Sequence, residues 1–82
     1  MAKREVTLTF NEAAIREPVI FTLSQEFNLR TNILRADLAE DSGWIMLELS
    51  GTEEDIERGI SWATSRGVRV DTLTESDSSL EP

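Results

Sequence analysis

No cysteine and no histidine occur among the 82 residues. Their absence removes disulfides, zinc-finger frameworks, thiol nucleophiles and the usual imidazole base. A reducing cytosol suits such a chain. Cations are scarce as well, with 8 Lys and Arg against 16 Asp and Glu, a net charge of -8 and a pI near 4.3. Nucleic-acid readers draw most of their affinity from basic side chains that neutralise phosphates, so no nucleic-acid partner is expected. Long apolar runs are missing too: nothing approaches the run of about 18 residues that spans a bilayer. "MAKREVTLTF" lacks the apolar stretch of a signal peptide. The expectation is a soluble, cytoplasmic chain with no direct membrane insertion. Its length allows one domain with a small core, for which oligomerisation is a common remedy.

What is present alternates. "EVTLTF" (5–10) sets Val6, Leu8 and Phe10 against Thr7 and Thr9, the pattern of a half-buried strand. "NEAAIRE" (11–17) reads as a loop, and Pro18 suits the first turn of a helix. Along "PVIFTLSQEFN", Ile20, Leu23, Ser24 and Phe27 share one face, with Val19 and Phe21 on its flanks. Asn28 is placed to close that helix in a left-handed conformation. Next, Leu34, Ala36 and Leu38 alternate with Ile33, Arg35 and Asp37. After "EDSG", Ile45, Leu47 and Leu49 alternate with Trp44, Met46 and Glu48.

A tight turn at Asp41–Ser42 joins these runs as a hairpin. It opposes Leu38 to Ile45, Ala36 to Leu47, Leu34 to Leu49 and Arg35 to Glu48. A two-residue slip keeps the faces but sets Asp37 against Glu48, a like-charge pair. "GTEEDIERGISWATSRG" (51–67) then reads as a helix capped by Thr52, with Asp55 in an approximate capping box. Glu53, Glu54, Asp55 and Glu57 crowd the positive end of its dipole, and Glu54 and Arg58 stand at i, i+4. Ile56, Gly59, Ile60 and Ala63 face inward. Gly67 ends the helix and "VRVDTL" is the last strand. Residues 1–74 make one domain, and 75–82 are expected to be a disordered acidic tail.

The order strand, helix, strand, strand, helix, strand is the split βαβ, ferredoxin-like arrangement. Right-handed crossovers put both helices on one face of a four-stranded antiparallel sheet, with the first and third strands central. The fold class is therefore α+β. The other sheet face carries Thr7, Thr9, Ile33, Arg35, Asp37, Trp44, Met46, Glu48, Arg69 and Asp71. Ile33, Trp44 and Met46 are the apolar members. They read either as isolated surface residues or as a patch that meets a second copy.

Several chemistries fall away. RNA-recognition modules stack bases on aromatics of the central strands amid basic residues, and here those strands offer threonines and Trp44. The acids of the second helix suit its N-terminus without any metal. "SGTEED" lacks the glycine spacing of a phosphate loop. The serines have no partner base, since Lys3 is the only lysine. No enzyme, metal or cofactor is expected.

"TNILRADL" followed by "WIMLELSGTEEDIERGISWATSRGVRVDTL" resembles the NIL domain, named for the Asn-Ile-Leu that stands here as Asn32, Ile33 and Leu34. Pro18, Phe27, "LELSG", the aromatic at Trp62 and "GVRV" extend the similarity from about Val6 to Leu73. The family is best known at the C-terminus of the ATPase subunit of bacterial methionine importers, where it binds methionine and inhibits transport. Other NIL domains are fused to iron–sulfur ferredoxin modules. The resemblance implies an ACT-like fold, pairing with a symmetry mate, and a methionine or related sulfur-metabolite ligand. No Walker motif or cluster cysteines stand in these residues. Output is expected to pass to a separate enzyme or transporter. A ligand-independent adaptor, docking through the sheet edge or hairpin patch, is the alternative.

The hairpin register above places Asn32 opposite Gly51, beside the Thr52 cap. There its amide would either tie chain ends together or hold the ammonium and carboxylate of an amino acid, helped by helix N–H groups. The expected ligand site is Asn32, Ile33, Leu34, Gly51 and Met46. The expected dimer interface is Ile33, Arg35, Trp44 and Met46. Trp44 and Met46 would serve equally as a surface for a thioether chain or as dimer contacts.

Overall fold

The computed structural model describes residues 1–11, 16–40 and 42–73, without the side chains of Arg16, Glu17 and Leu73. The tail expected at 75–82, most of the loop at 11–17 and Asp41 of the expected turn lie outside those residues. The alternating N-terminal segment becomes β1 (Ala2–Phe10), and α1 (Arg16–Gln25) follows with Pro18 in its first turn. Then come β2 (Arg30–Leu38), β3 (Gly43–Gly51), α2 (Glu53–Ser65) and β4 (Arg69–Leu73). The strands pair antiparallel in the order β2-β3-β1-β4. This is the expected ferredoxin-like sheet, with β1 and β3 central.

Val6, Leu8 and Phe10 of β1 and Ile45, Leu47 and Leu49 of β3 are buried under the helices with Val19, Leu23, Leu29, Ile56, Ala63 and Val68. Val19 is core rather than flank, because it stands one turn before Leu23 on the same helix face. Asn28 takes a φ of 56°, the left-handed turn expected of it. Thr52 caps α2: its side chain accepts a hydrogen bond from the Asp55 N–H at 3.0 Å. Gly67, at φ 91°, ends it. Arg58 reaches Asp55 at 3.7 Å rather than Glu54. The i, i+3 acid is as near on the helix surface as the i, i+4 one.

The β2–β3 hairpin departs from the expected register. Leu38 opposes Gly43, Asp37 opposes Trp44, Ala36 opposes Ile45 and Arg35 opposes Met46. The strands are joined through residues 39–42, where the Ala39 N–H donates to the Ser42 carbonyl at 2.8 Å. A side chain at Gly43 would meet the Asp37 carbonyl oxygen at 2.8 Å, so only glycine fits opposite the end of β2. The expected Arg35–Glu48 pairing is too weak to fix a register, since an exposed ion pair contributes under about 1 kcal/mol.

A bulge follows. Ile33 opposes Leu47 and Arg35 opposes Met46, which leaves Leu34 without a partner. Paired residues of an antiparallel ladder share a face. Ile33 therefore lies on the helix side, not on the bare face where simple alternation puts it.

Candidate functional site

The sheet has two edge strands, β2 and β4, and a bare face that the helices do not cover. No residue of β2 is buried. Among its large side chains Ile33 is 56% exposed, Leu38 50% and Leu34 41%. A long apolar edge is a ready template for pairing with another chain.

The register orders the bare face into rows. Asn32, Glu48 and Glu5 form one; Arg35, Met46, Thr7 and Asp71 the next; Asp37, Trp44, Thr9 and Arg69 the third. Lys3 and Arg30 flank Ser50 at one end. Lys3, Arg30, Arg35 and Arg69 thus balance Glu5, Asp37, Glu48 and Asp71. Among the described residues of this face the charges balance. Trp44 and Met46 are half-buried near its centre. Arg69 and Asp71 bridge each other at 3.2 Å, whereas Arg35 and Asp37 have no ion-pair partner among the described residues.

The expected ligand residues divide between these surfaces. Asn32 is exposed and opposes Glu48, so it does not stand beside Gly51 or the Thr52 cap. Gly51 is buried on the helix side, where an added Cβ would lie 2.8 Å from Leu29 Cδ2. Its role is close packing. Asn32 and Met46 share the bare face as diagonal neighbours, since Met46 is two residues from Glu48 along β3. Arg35, Trp44 and Met46 of the expected dimer interface also share that face, and Ile33 has moved to the helix side of the edge. Sequence reasoning missed the bulge that causes this, although two apolar residues in succession, Ile33 and Leu34, break the alternation.

A second cluster went unread. The Phe27 and Trp62 rings lie 5.7 Å apart, with Arg58 over Phe27 and Arg66 over Trp62 at 6.0 and 5.3 Å. The two arginines thus lie over the rings of this aromatic pair, where Phe27, just past the end of α1, packs on Trp62 of α2. Among the described residues no group of three or more His, Cys, Asp or Glu is arranged to hold a metal ion, and no helix is long and apolar enough to cross a membrane.

This architecture defines a ferredoxin-like α+β domain with two edge strands and an open sheet face. The C-terminal domain of an ABC transporter ATP-binding protein from Enterococcus faecalis has the same fold: TM-score 0.74 at 20% identity, covering 88% of this chain and 84% of that one. A de novo designed protein, Foldit4, matches at a TM-score of 0.55 and 13% identity over 89% of this chain and 96% of its own. The NIL domain model matches residues 4–72, and the chain belongs to the NIL domain family, a class of regulatory domain. It is 31% identical over 72 residues to "Methionine import ATP-binding protein MetN" of Photobacterium profundum, covering 83% of this chain. That match spans 21%, about a fifth, of the curated relative's length.

Proposed function

We propose that the chain is a small-molecule-binding regulatory domain of cytoplasmic location, without catalytic activity of its own, that senses methionine or a related amino acid. In this reading it works as a homodimer and passes its state to a separate enzyme or transporter. The observation that carries the reading is the family match, which runs through nearly all the described residues and includes Asn32, Ile33 and Leu34. Support comes from the placement of those residues on an exposed edge strand, where a ligand or a second copy can reach them. The Asn32 amide offers donors and an acceptor to an amino acid's charged groups. Met46, diagonal to it, offers a polarisable surface to a thioether chain. The N–H groups that start α2 have no part in this, because they lie on the other side of the sheet from Asn32.

Titration calorimetry with methionine tests the reading. Saturable heat is expected with the wild type and a weakened response with Asn32→Ala. A ligand that binds only the folded state must also raise its stability, by about 2.7 kcal/mol at a hundredfold excess over the dissociation constant. Absence of both heat and melting shift at millimolar methionine would transfer the function to the second reading. That reading is a ligand-independent adaptor, favoured by the exposed apolar side chains along the unpaired β2 edge.

A further inference from the structure

The charges of α2 are sorted by flank. At about 100° per residue, Glu53 and Glu57 fall on one flank of the helix, and Arg58, Trp62 and Arg66 fall on the other. Glu57 reaches Arg4 of β1 at 3.6 Å, whereas the opposite flank meets Phe27, just past the end of α1. Arg58, Trp62 and Arg66 stand at i, i+4 and i+8, so they form one straight stripe along the helix.

Neither guanidinium of the stripe is engaged inside the chain. Among the described residues Arg66 has no ion-pair partner, and Arg58 meets Asp55 at 3.7 Å, longer than a hydrogen bond. No side-chain hydrogen bond among those residues involves either one. Each lies instead over a ring, Arg58 over Phe27 and Arg66 over Trp62. A ring beneath a guanidinium limits its motion and leaves the N–H groups at its edge open to an oxygen anion. Beside the stripe stand the small Ser61 and Ser65, and the Ser65 hydroxyl turns inward to donate to the Trp62 carbonyl at 2.7 Å. Covering the rings requires the methylenes and planes of the arginines. It does not require both sets of donors to stay free in a chain with 16 acids for 8 bases.

We propose that this stripe docks an acidic segment of the separate protein on which the domain acts. The proposal rests on the reading that output passes to such a partner, and not on methionine or on the homodimer. Eight residues of helix separate the two arginines by about 12 Å along the axis. An extended chain advances about 3.3 Å per residue, so carboxylates four residues apart span about 13 Å and project from one side. Acids at i and i+4 of an extended segment therefore reach both guanidinium groups, whereas adjacent acids reach one. Charge also orients the approach. A chain of net charge -8 repels an acidic segment across its surplus carboxylates and attracts it along this flank. The helices lie on the opposite side of the sheet from Asn32 and Met46, so a docked segment leaves those residues accessible.

Two peptides of one composition test the spacing in a nuclear magnetic resonance titration. Acetyl-Ser-Glu-Ser-Gly-Ser-Glu-Ser-amide carries its acids four residues apart, and acetyl-Ser-Ser-Glu-Glu-Ser-Gly-Ser-amide carries them side by side. The Trp62 indole N–H, assigned with Trp62→Phe, should shift saturably with the first peptide and bind it at least about threefold more tightly than the second. Added salt should weaken the response. Arg58→Met combined with Arg66→Met keeps a long side chain over each ring and removes both charges. This variant should keep its circular dichroism and melting temperature, and bind the first peptide at least about tenfold more weakly. If it fails to fold, Arg66→Gln alone, at an exposed position, should still weaken binding several-fold. Equal affinity for the two peptides, or binding that survives loss of the arginines, would overturn the proposal. A wild type silent to millimolar peptide beside a responsive chain of residues 1–74 would assign the stripe to the chain's own acidic residues 75–82 instead. Silence of both would remove the docking surface, while the methionine titration above would still decide the sensing reading by itself.

Discussion

The two faces of the sheet are made by the same residues of chain taken alternately, and they do opposite things. On the helix side, Val6, Leu8, Phe10, Ile45, Leu47 and Leu49 are at most 4% exposed. On the bare side the intervening Thr7, Thr9, Trp44, Met46 and Glu48 are half-buried. One side owes its stability to removing apolar surface from water. The other gains nothing comparable within a monomer and presents balanced charge around two large side chains. Because alternation separates them, substitutions on the bare side leave the covered core untouched.

Substitutions ordered by expected effect sharpen that contrast. Phe10→Ala on the covered side should cost about 3–5 kcal/mol, enough to unfold a domain of this size, as urea denaturation would show. Retention of most of the stability would mean that the core can collapse around the void. Gly51→Ala brings a methyl to a site where a Cβ would lie 2.8 Å from Leu29 Cδ2. Overpacking should cost about 1–3 kcal/mol in the same measurement. Thr52→Ala removes the cap of α2 and should lower stability by about 1 kcal/mol, read from thermal unfolding. Smallest of all, Asn32→Ala should change monomer stability by less than about 0.5 kcal/mol, because the amide is exposed and makes no hydrogen bond among the described residues. A large loss there would make Asn32 a structural tie.

Much of the covered side was legible in the sequence. Alternation in β1 and β3 identifies the six central core residues, and the Thr52 cap and Gly67 stop bound α2 without reference to tertiary structure. The β2 strand was less legible. A two-residue slip leaves the faces of an alternating strand unchanged, so the apolar pattern cannot choose among registers that differ by two. The choice fell to surface charges, which are too weak to make it. In the fold the choice follows from Gly43, whose missing side chain makes room for the end of β2. The ligand residues inherited that error, because the partner of Asn32 depends on the register and on one unpaired leucine.

That leucine also governs which changes of length β2 can absorb. Deleting Leu34 would leave Ile33 opposite Leu47 and Asn32 opposite Glu48, with Arg35 still on Met46 and the ladder unbroken. Deleting a paired residue would force every side chain on one flank to turn over or the bulge to migrate. Position 34 is thus the strand's expansion joint. A shorter relative that lacks this residue would aim its asparagine at the same side of the sheet, and a gap placed two positions earlier in an alignment, at 32, would assign it the wrong one.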